Sequence, residues 1–289
     1  MATRSETDTT GLSRLIQARD GMRMPAFGIG TWHMGESTSR KAAELASLKL
    51  SLELGVRLID TAEMYGSGGA EDIVGDAVRG RREQAFIVSK VMPHNASRGG
   101  TIRAAEASLK RLRTDHIDLY LLHWPGSHPL GETIEAFETL KASGKIRHYG
   151  LSNFDADAMA AALGTKSGQK IACNQVLYNL ARRGIEGRLL PWCAKNDVAV
   201  MAYSPLDQGR LAMKPGLKDV AQRHGVTPEA IAIAWTMRQP HLCTIPKATS
   251  LDHLRANIAA ASLSLSAGDL AALDADYPAP KGHQPLEML

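Results

Sequence analysis

Three strand-like segments that follow one another in the sequence each end in a side chain that can exchange or stabilise a proton. Asp60 ends the strand of L-I-D-T-A, Lys90 ends I-V-S-K and His123 follows L-Y-L-L, while Tyr65 stands in the loop D-T-A-E-M-Y-G. Taken singly, each has a structural explanation, such as a cap for Asp60 or a core position for His123. Four titratable groups at neighbouring strand ends instead favour an acid–base site.

Short apolar segments alternate along the chain with longer amphipathic segments. The apolar segments are hydrophobic on both faces, as the strands of a buried parallel sheet are, and glycines or small polar residues mark their boundaries. The sequence predicts eight strand–helix units, with strands at 27–30, 57–60, 86–90, 117–123, 146–151, 172–176, 198–203 and 242–245 and helices at 39–54, 70–79, 99–113, 131–143, 155–163, 185–196, 217–224 with 228–238, and 251–260.

Eight such units predict a (β/α)8 TIM barrel, an α/β fold that about 250 residues form as a single domain. We assign residues 14–289 to the barrel and residues 1–13 to a flexible N-terminal tail. The competing doubly wound sheet needs a G-x-G-x-x-G turn after its first strand, whereas the chain has G-I-G-T-W-H-M-G there. In a barrel the carboxyl ends of the strands form the functional face, so the four titratable residues would share one rim.

Composition argues against nucleic-acid and membrane partners. Of the 289 residues, 44% are hydrophobic and 22% are charged, and 34 basic residues nearly balance 30 acidic ones. No block of like charge predicts nucleic-acid binding, and no apolar run reaches the roughly 18 residues of a membrane span. The cysteines, Cys173, Cys193 and Cys243, are far apart, which predicts reduced thiols. With an N-terminus unlike a signal peptide, they predict a cytoplasmic protein.

The motifs around these residues resemble the aldo-keto reductase family, in the order that the family has them. The matching segments between about residues 15 and 273 are G-I-G-T-W, D-T-A-E-M-Y-G, V-S-K-V, L-L-H-W-P, G-K-I-R-H-Y-G-L-S-N-F, N-Q-V-L-Y-N, Y-S-P-L and I-P-K-A-T-S. A-E-M-Y-G-S-G-G-A-E, R-G-I-E-x-x-L-L-P-W-C and Y-P-A-P-K-G also resemble small bacterial, methylglyoxal-reductase-like members. The resemblance implies NADPH-dependent reduction of small aldehydes and ketones, including methylglyoxal-like dicarbonyls.

The family's catalytic set matches Asp60, Tyr65, Lys90 and His123. Hydride delivery to a carbonyl carbon builds negative charge on its oxygen, which Tyr65 would neutralise as the proton donor. Free tyrosine has a pKa of about 10, and the ammonium of Lys90 is expected to lower it. Asp60 is expected to keep Lys90 charged and oriented, and His123 to hydrogen-bond the carbonyl oxygen.

The resemblance also implies residues that bind the inner half of the cofactor, Asp60 included. Ser152, Asn153 and Gln175 match residues that hold the nicotinamide carboxamide, a group that needs paired donors and acceptors. Tyr203 matches the aromatic ring that stacks on the nicotinamide. The pyrophosphate loop and the rim of the first strand add Ser204, Leu206, Gly30, Thr31 and Trp32.

The substrate pocket is expected to be lined by two tryptophans together with two of the catalytic side chains. Trp32 and Trp124 would form its walls, and Tyr65 and His123 would face the carbonyl group. Either tryptophan could instead simply pack in the core.

The last matching motif, I-P-K-A-T-S-L-D-H-L-R-A-N, departs from the family pattern. It retains Lys247, Ser250 and Asn257, but His253 stands where many relatives have an arginine that stacks on adenine and contacts the 2′-phosphate. We expect Lys247 and Ser250 to bind that phosphate, with Arg255 or His253 as a further donor. The predicted cofactor is therefore NADPH, with NADH as a possibility.

Two other function classes are open to such a barrel. A nicotinamide-binding regulatory subunit without turnover would share the fold, but the intact catalytic set and the lack of an evident partner-binding extension favour an enzyme. A hydrolytic barrel would need paired carboxylates or a metal cluster at the rim. The matching positions contain neither, so no metal site is predicted. The predicted partner is a small carbonyl substrate, and the predicted assembly is a monomer or weak oligomer.

Overall fold

The computed structural model describes residues 10–289, and a sheet of eight parallel strands, in the order of the sequence, forms the centre of the fold. Helices follow the strands along the chain, so the predicted (β/α)8 barrel is confirmed. The first and last strands of the sheet meet where Phe27 and Thr244 form a parallel bridge. The Thr244 amide donates to the Ala26 carbonyl at 3.1 Å, which closes the barrel.

Strands and helices of the described residues are joined by loops and short 3₁₀ turns. The strands are β1 Leu15–Gln17, β2 Arg23–Pro25, β3 Gly28–Gly30, β4 Leu58–Asp60, β5 Phe86–Val91, β6 Ile117–Leu122, β7 Ile146–Ser152, β8 Ile171–Leu177, β9 Ala199–Tyr203 and β10 Leu242–Thr244. The helices are α1 Thr10–Ser13, α2 Lys41–Glu53, α3 Gly69–Ala77, α4 Arg98–Leu112, α5 Leu130–Ala142, α6 Ala156–Leu163, α7 Leu189–Lys195, α8 Pro215–His224, α9 Pro228–Met237, α10 Leu251–Ala260 and α11 Ala267–Asp276.

Burial on both faces explains why the barrel strands could be found in the sequence. Every residue of β6 and of β8 is buried, because one face of each strand fills the barrel and the other packs against helices. Helix caps are encoded just as locally. The Thr227 side chain accepts a hydrogen bond from the Ala230 amide, and Pro228 occupies the first turn of α9, as this pairing of residues predicts.

An antiparallel hairpin that the sequence patterns did not reveal closes one end of the barrel. Its two strands, β1 and β2, are three residues long and pair in register from Leu15 with Pro25 to Gln17 with Arg23. Ile16, Met22 and Met24 are buried in one apolar cluster with residues of the barrel interior. That cluster includes the first residue of β4, so the hairpin fills the end at which the strands begin. Among the described residues, the carboxyl ends of the strands are left to form the open face.

The other differences from the predicted elements have local causes. The predicted helix 185–196 is split into a 3₁₀ turn, Gly184–Gly187, and α7. Pro191 lacks an amide hydrogen and its ring would clash with the carbonyl of Gly187 in a continuous helix. Residues 1–9 of the predicted tail lie outside the described residues, but Thr10–Ser13 form α1 rather than a tail. Helix α11 was not predicted.

Within residues 10–289, no helix combines the length and the apolar character that crossing a bilayer requires.

Candidate active site

The four side chains predicted to do chemistry lie at the carboxyl ends of three adjacent strands. Asp60 is the last residue of β4, and Lys90 is the last residue but one of β5. His123 follows β6 directly, and Tyr65 begins the 3₁₀ turn Tyr65–Gly68 after β4. Because β4, β5 and β6 pair in parallel register, the order of the strands brings all four residues to one rim.

The ammonium of Lys90 contacts two of the other three side chains, Asp60 and Tyr65. Its Nζ atom donates to both carboxylate oxygens of Asp60, at 2.8 and 2.9 Å, and to the carbonyl oxygen of Thr61 at 2.9 Å. It lies 3.1 Å from the hydroxyl oxygen of Tyr65. A tyrosine that accepts a hydrogen bond from Lys90 keeps its own hydrogen free to donate elsewhere. The predicted proton donor is therefore oriented by an ammonium.

Burial makes this arrangement electrostatically demanding. Lys90 has 0% of its surface exposed, Asp60 2% and Tyr65 8%. Burial lowers the pKa of the Lys90 ammonium, and the charge and hydrogen bonds of Asp60 oppose that change. An unpaired buried ammonium would be costly, so Asp60 is needed to keep Lys90 charged. Asp60 is itself held by Gln175, whose Nε2 atom donates to Oδ1 at 2.7 Å.

The pKa of Tyr65 moves in the opposite direction from the one that the sequence predicted. Burial raises it well above the ordinary value of 10, and the negative charge of Asp60 raises it further. The expected lowering is wrong because burial, the larger effect, disfavours the charged phenolate, and the negative charge of Asp60 acts in the same direction. Tyr65 is therefore a fully protonated acid at neutral pH. It remains thermodynamically able to protonate an alkoxide, which is a much stronger base than a phenolate.

His123 stands beside Tyr65 as a neutral ring. Burial, and then the positive charge of Lys90, lower the pKa of His123 to about 2. Among residues 10–289 no carboxylate forms an ion pair with this ring, and its Nδ1 atom is buried without a hydrogen-bond partner. The ring centroids of His123 and Tyr65 are 5.8 Å apart. A neutral imidazole at this distance can donate one hydrogen bond to an oxygen that also reaches the tyrosine hydroxyl.

A shelf of amide and hydroxyl groups lies next to the catalytic residues at the ends of β7, β8 and β9. Ser152 donates to the carbonyl oxygen of Gln175 at 2.9 Å, and the Asn153 amide donates to the carbonyl oxygen of His123 at 3.1 Å. The Tyr203 hydroxyl donates to the Asn153 Oδ1 atom at 3.1 Å. Burial raises the pKa of Tyr203 to about 12, so this hydroxyl stays protonated. Because the Asn153 side-chain amide also donates to Ser152 Oγ at 3.2 Å, the four residues predicted to hold the nicotinamide form one hydrogen-bonded group.

A groove of about 370 Å³ runs from the catalytic residues towards Lys247. Tyr65 and Asp60 line its inner end, and Tyr203, Ser204 and Leu206 continue the wall outwards. Of the other predicted residues, Gly30, Trp32 and Lys247 line the groove, together with Pro246, which was not predicted. Thr31 is fully buried and donates to the Asp60 carbonyl oxygen at 3.0 Å, so it supports the site from behind the wall. The groove has a cation at one end, and at the other it meets, at Tyr203, the cavity that the amide shelf lines; this arrangement suits a phosphorylated dinucleotide.

A second cavity of about 100 Å³ opens beside Tyr65 and His123 and shares Tyr203 with the groove. Its walls include the two predicted tryptophans. The Trp32 ring meets the Tyr65 ring edge to face at 4.8 Å, and the Trp124 ring lies 4.7 Å from that of His123. Both tryptophans therefore line the cavity, and they also pack against the rings of Tyr65 and His123.

The residues predicted to bind the adenosine phosphate lie on two sides of the start of α10. Ser250 caps the helix by accepting a hydrogen bond from the His253 amide at 3.5 Å. His253, Arg255 and the exposed end of Lys247 lie at the surface, whereas Asn257 is buried. Arg255 follows His253 by two positions, so the two side chains leave the helix on different faces. We therefore do not expect His253 and Arg255 to contact the same phosphate group.

Several residues of the site carried no recognisable sequence signal. Met64, Met288 and Leu289 line the smaller cavity, and Gln208 lines both cavities. Met288 and Leu289 come from the last segment of the chain, far in sequence from the motifs. Glu63 ties the loop of Tyr65 to the loop after β5, because its carboxylate accepts a hydrogen bond from the Met92 amide at 2.7 Å. Its place two residues before Tyr65 is the one hint that the sequence offers.

Comparison with known proteins identifies the class to which this fold and site belong. The model of the Aldo/keto reductase family matches residues 26–277, and the chain belongs to that family. It is 47% identical over 283 residues to methylglyoxal reductase YeaE of Escherichia coli (strain K12), with 96% of this chain and 99% of the relative covered. It is 33% identical over 270 residues to the glyoxal reductase of Bacillus subtilis (strain 168), covering 92% of this chain and 94% of that one.

Solved structures agree with the fold. An aldo/keto reductase from Klebsiella pneumoniae, in complex with NADP and acetate, is 45% identical and superposes with a TM-score of 0.93 over 96% of this chain and 99% of that one. The thermostable aldo-keto reductase Tm1743, in complex with the inhibitor epalrestat, is 41% identical with a TM-score of 0.85, over 90% and 97% of the two chains. The family predicted from the sequence is confirmed, and the cofactor in the Klebsiella protein is the predicted one.

We expect the His123 ring to stay neutral over the whole range in which the protein can be handled. Its pKa is lowered to about 2, far below the ordinary histidine value of about 6.5. In an NMR titration between about pH 5 and 9, the ring signals of His123 should therefore keep constant chemical shifts. The His123→Asn variant identifies that signal by its loss. A titration midpoint near the ordinary value for this ring would contradict the assigned environment.

Proposed function

We propose that the protein reduces small aldehydes and ketones with NADPH, and that Tyr65 donates the proton. The observation that carries this proposal is the buried contact of 3.1 Å between the Lys90 Nζ atom and the Tyr65 hydroxyl, backed by Asp60 and facing a cavity beside a neutral His123. An oriented acid beside an uncharged hydrogen-bond donor is what a carbonyl oxygen needs when it gains negative charge.

Tyr65 can give its proton to the substrate oxygen because its hydroxyl accepts a hydrogen bond from Lys90, and its own hydrogen remains available to donate. When bound, the reduced nicotinamide supplies a hydride to the carbonyl carbon. The oxygen then becomes basic enough to take the Tyr65 proton, although burial and Asp60 raise the pKa of that phenol. Lys90 lies 3.1 Å from the phenol oxygen, so it stabilises the phenolate as this forms. General acid catalysis of this kind contributes about 10²–10⁴-fold to a rate.

In this mechanism His123 positions the carbonyl oxygen of the substrate. Because the ring is neutral, it can donate a hydrogen bond to the carbonyl oxygen without competing as an acid. It would then hold the oxygen between its own ring and the Tyr65 hydroxyl, in the cavity that both residues line.

The groove is suited to NADPH along its length. The shelf formed by Ser152, Asn153, Gln175 and Tyr203 would orient the nicotinamide carboxamide, since its amides and hydroxyls offer both donors and acceptors. Ser204 and Leu206 would contact the pyrophosphate, with Gly30 and Trp32 along the opposite rim and Thr31 behind it. Lys247 and Ser250 would bind the 2′-phosphate, with His253 nearby and Asn257 beneath the adenosine; Arg255, on another face of α10, is the weaker candidate. Aldo-keto reductase structures from Klebsiella pneumoniae in complex with NADP and with NADPH support the choice of cofactor.

The smaller cavity favours short, uncharged carbonyl compounds. Its volume is about 100 Å³, part of which the nicotinamide on the shelf would fill, and the described residues that line it include no charged side chain. A carboxylate next to the carbonyl group would lose its hydration there without gaining a cation as partner. Methylglyoxal-like dicarbonyls match this description, and two relatives are named for the reduction of methylglyoxal and of glyoxal.

Replacement of Tyr65 by phenylalanine should greatly reduce turnover while cofactor binding is kept. The substitution removes only the hydroxyl, so kcat for methylglyoxal should fall by about 10²–10⁴-fold, the typical contribution of a general acid. The rate is followed by loss of absorbance at about 340 nm, and binding of NADPH by fluorescence titration.

Two variants bracket this result. Lys90→Met should also lose most of its turnover, because the phenolate that forms would lack its cation. Tyr149→Phe is the matched control, since the Tyr149 hydroxyl donates to Glu138 outside the site at 2.8 Å and the variant should keep normal turnover. Near-normal turnover of Tyr65→Phe would refute the role of Tyr65.

The protein should prefer NADPH to NADH, and Lys247 should account for much of that preference. A hydrogen bond to a charged group contributes about 1.5–3 kcal/mol, so Lys247→Ala should weaken NADPH binding by about tenfold or more and leave NADH nearly unchanged. Lys218→Ala, on the exposed side of α8, is the control for lost charge. An equal or better kcat/KM with NADH would refute the assigned phosphate site.

A substrate panel tests the inference about the carbonyl compound. Methylglyoxal and glyoxylate are similar in size but differ in charge, so kcat/KM for methylglyoxal should be higher by about tenfold or more if no cation awaits a carboxylate. Equal values for the two compounds would mean that the cavity does not select against charge. Absence of turnover with every carbonyl compound tested would contradict the reductase function itself.

A further inference from the structure

The loop after β9 lines the groove but is held in a backbone shape that its own residues disfavour. We call residues 203–209 the cofactor loop. Ser204, Asp207 and Gln208 have φ angles of 51, 49 and 56°, all in the left-handed region. Non-glycine residues in that region are strained and persist only where their surroundings hold them. The shape of the cofactor loop must therefore be fixed by contacts from elsewhere in the fold.

Asn179, two residues after the end of β8, supplies such contacts. Its Nδ2 atom donates to the Ser204 carbonyl oxygen at 2.9 Å and lies 3.4 Å from the Asp207 Oδ1 atom. Its Oδ1 atom accepts hydrogen bonds from the amides of Ala181 and Arg182, each at 2.9 Å. The orientation of the amide group follows from these partners, because two backbone amides need the oxygen and a carbonyl needs the nitrogen. Asn179 is fully buried.

The turn that Asn179 closes reaches the cofactor loop at a second point. Asn179 and Arg182 form an antiparallel bridge, and the Arg182 Nε atom lies 3.5 Å from the Asp207 carboxylate. The same guanidinium donates to Glu287 at 2.9 Å, next to Met288 in the wall of the smaller cavity. The turn thus connects the cofactor loop with the segment that borders the substrate.

We propose that Asn179 is a positioning residue for the nicotinamide cofactor: its amide holds the cofactor loop in the shape that lines the groove. This inference rests on the proposed function, since it takes Ser204 and Leu206 as contacts of the pyrophosphate. Asn179 is not one of the described residues that line the groove or the smaller cavity. Its effect on binding is therefore indirect, through the backbone of Ser204 and through Asp207.

The effect should appear in the affinity for the cofactor and not in the chemical step. Loss of the donor to the Ser204 carbonyl should raise Kd by about tenfold, the equivalent of about 1.4 kcal/mol. Kd for NADPH and Kd for NADH should rise by the same factor, because the pyrophosphate is common to both. Once the site is saturated, single-turnover hydride transfer and its pH profile should match those of the unaltered protein, since Tyr65 and Lys90 are untouched.

Two substitutions separate loop positioning from a merely structural role. Asn179→Ala removes both functions of the amide. Asn179→Asp keeps the oxygen that accepts from Ala181 and Arg182, but it removes the donor to Ser204 and places a carboxylate beside Asp207. Under the proposal, Asn179→Asp weakens binding of both cofactors at least as much as Asn179→Ala does. If Asn179 only closed its own turn, Asn179→Asp would bind both cofactors like the unaltered protein.

The control is Asn196→Ala, at the opposite end of β9. The Asn196 amide also donates to a backbone carbonyl, that of Trp192 at 2.8 Å, so this variant loses a comparable hydrogen bond away from the groove. It should lower Tm without changing either Kd. Unchanged Kd values in Asn179→Asp overturn the proposal, and this variant carries the test if Asn179→Ala does not fold. If the unaltered protein binds neither NADPH nor NADH, the proposed function fails instead.

Discussion

A buried ammonium imposes the strictest condition on this structure. Lys90 has no exposed surface, so every partner that compensates for its lost hydration must be provided inside the barrel. Asp60, Thr61 and Tyr65 all belong to the segment that leaves β4, while Lys90 belongs to β5. Pairing of the two strands therefore brings the charge and its acceptors together. The same pairing fixes where the tyrosine hydroxyl points, so charge compensation and catalytic geometry have one structural origin.

The barrel meets this condition by dividing its two ends between different tasks. The end where the strands begin is filled with apolar side chains and covered by the hairpin of β1 and β2. Polar groups collect at the other end, where the strands stop pairing and their loops can supply hydrogen-bond partners. The amide shelf of Asn153 and Gln175 belongs to this end as well. The buried polar groups therefore lie close to one another at the carboxyl ends of the strands, and the interior below them is apolar.

Much of this organisation could be predicted from the sequence because it is encoded locally. Strands buried on both faces and a capping residue such as Thr227 are visible within a few residues. Residues at strand ends, such as Asp60 and Lys90, could be placed on one rim because a barrel aligns the ends of its strands. The hairpin was missed because its three-residue strands are too short to show an alternating pattern. The break before α7 was missed because the prediction relied on the amphipathic pattern of residues 185–196 and did not consider that Pro191 interrupts a continuous helix.

What could not be predicted depends on distances between segments that are remote in sequence. The sequence placed Lys90 beside Tyr65 but could not show that the phenol is buried next to the Asp60 carboxylate, and so the direction of the Tyr65 pKa shift was wrong. Met288 and Leu289 reach the smaller cavity from the last segment, with no motif to announce them. The link from Asn179 to Ser204 joins loops 25 positions apart. Such contacts arise only once the fold exists.

The hairpin of β1 and β2 also has a kinetic consequence. Because it fills the end of the barrel at which the strands begin, molecules reach Tyr65 from the face formed by the carboxyl ends of the described strands. Two reactants that share one entrance cannot arrive in arbitrary order if one of them lies beneath the other. Whatever rests on the shelf of Asn153 and Gln175 must enter before the molecule above it and can depart only after that molecule has gone. A structural element remote from the chemistry thus imposes a sequence of arrival and release.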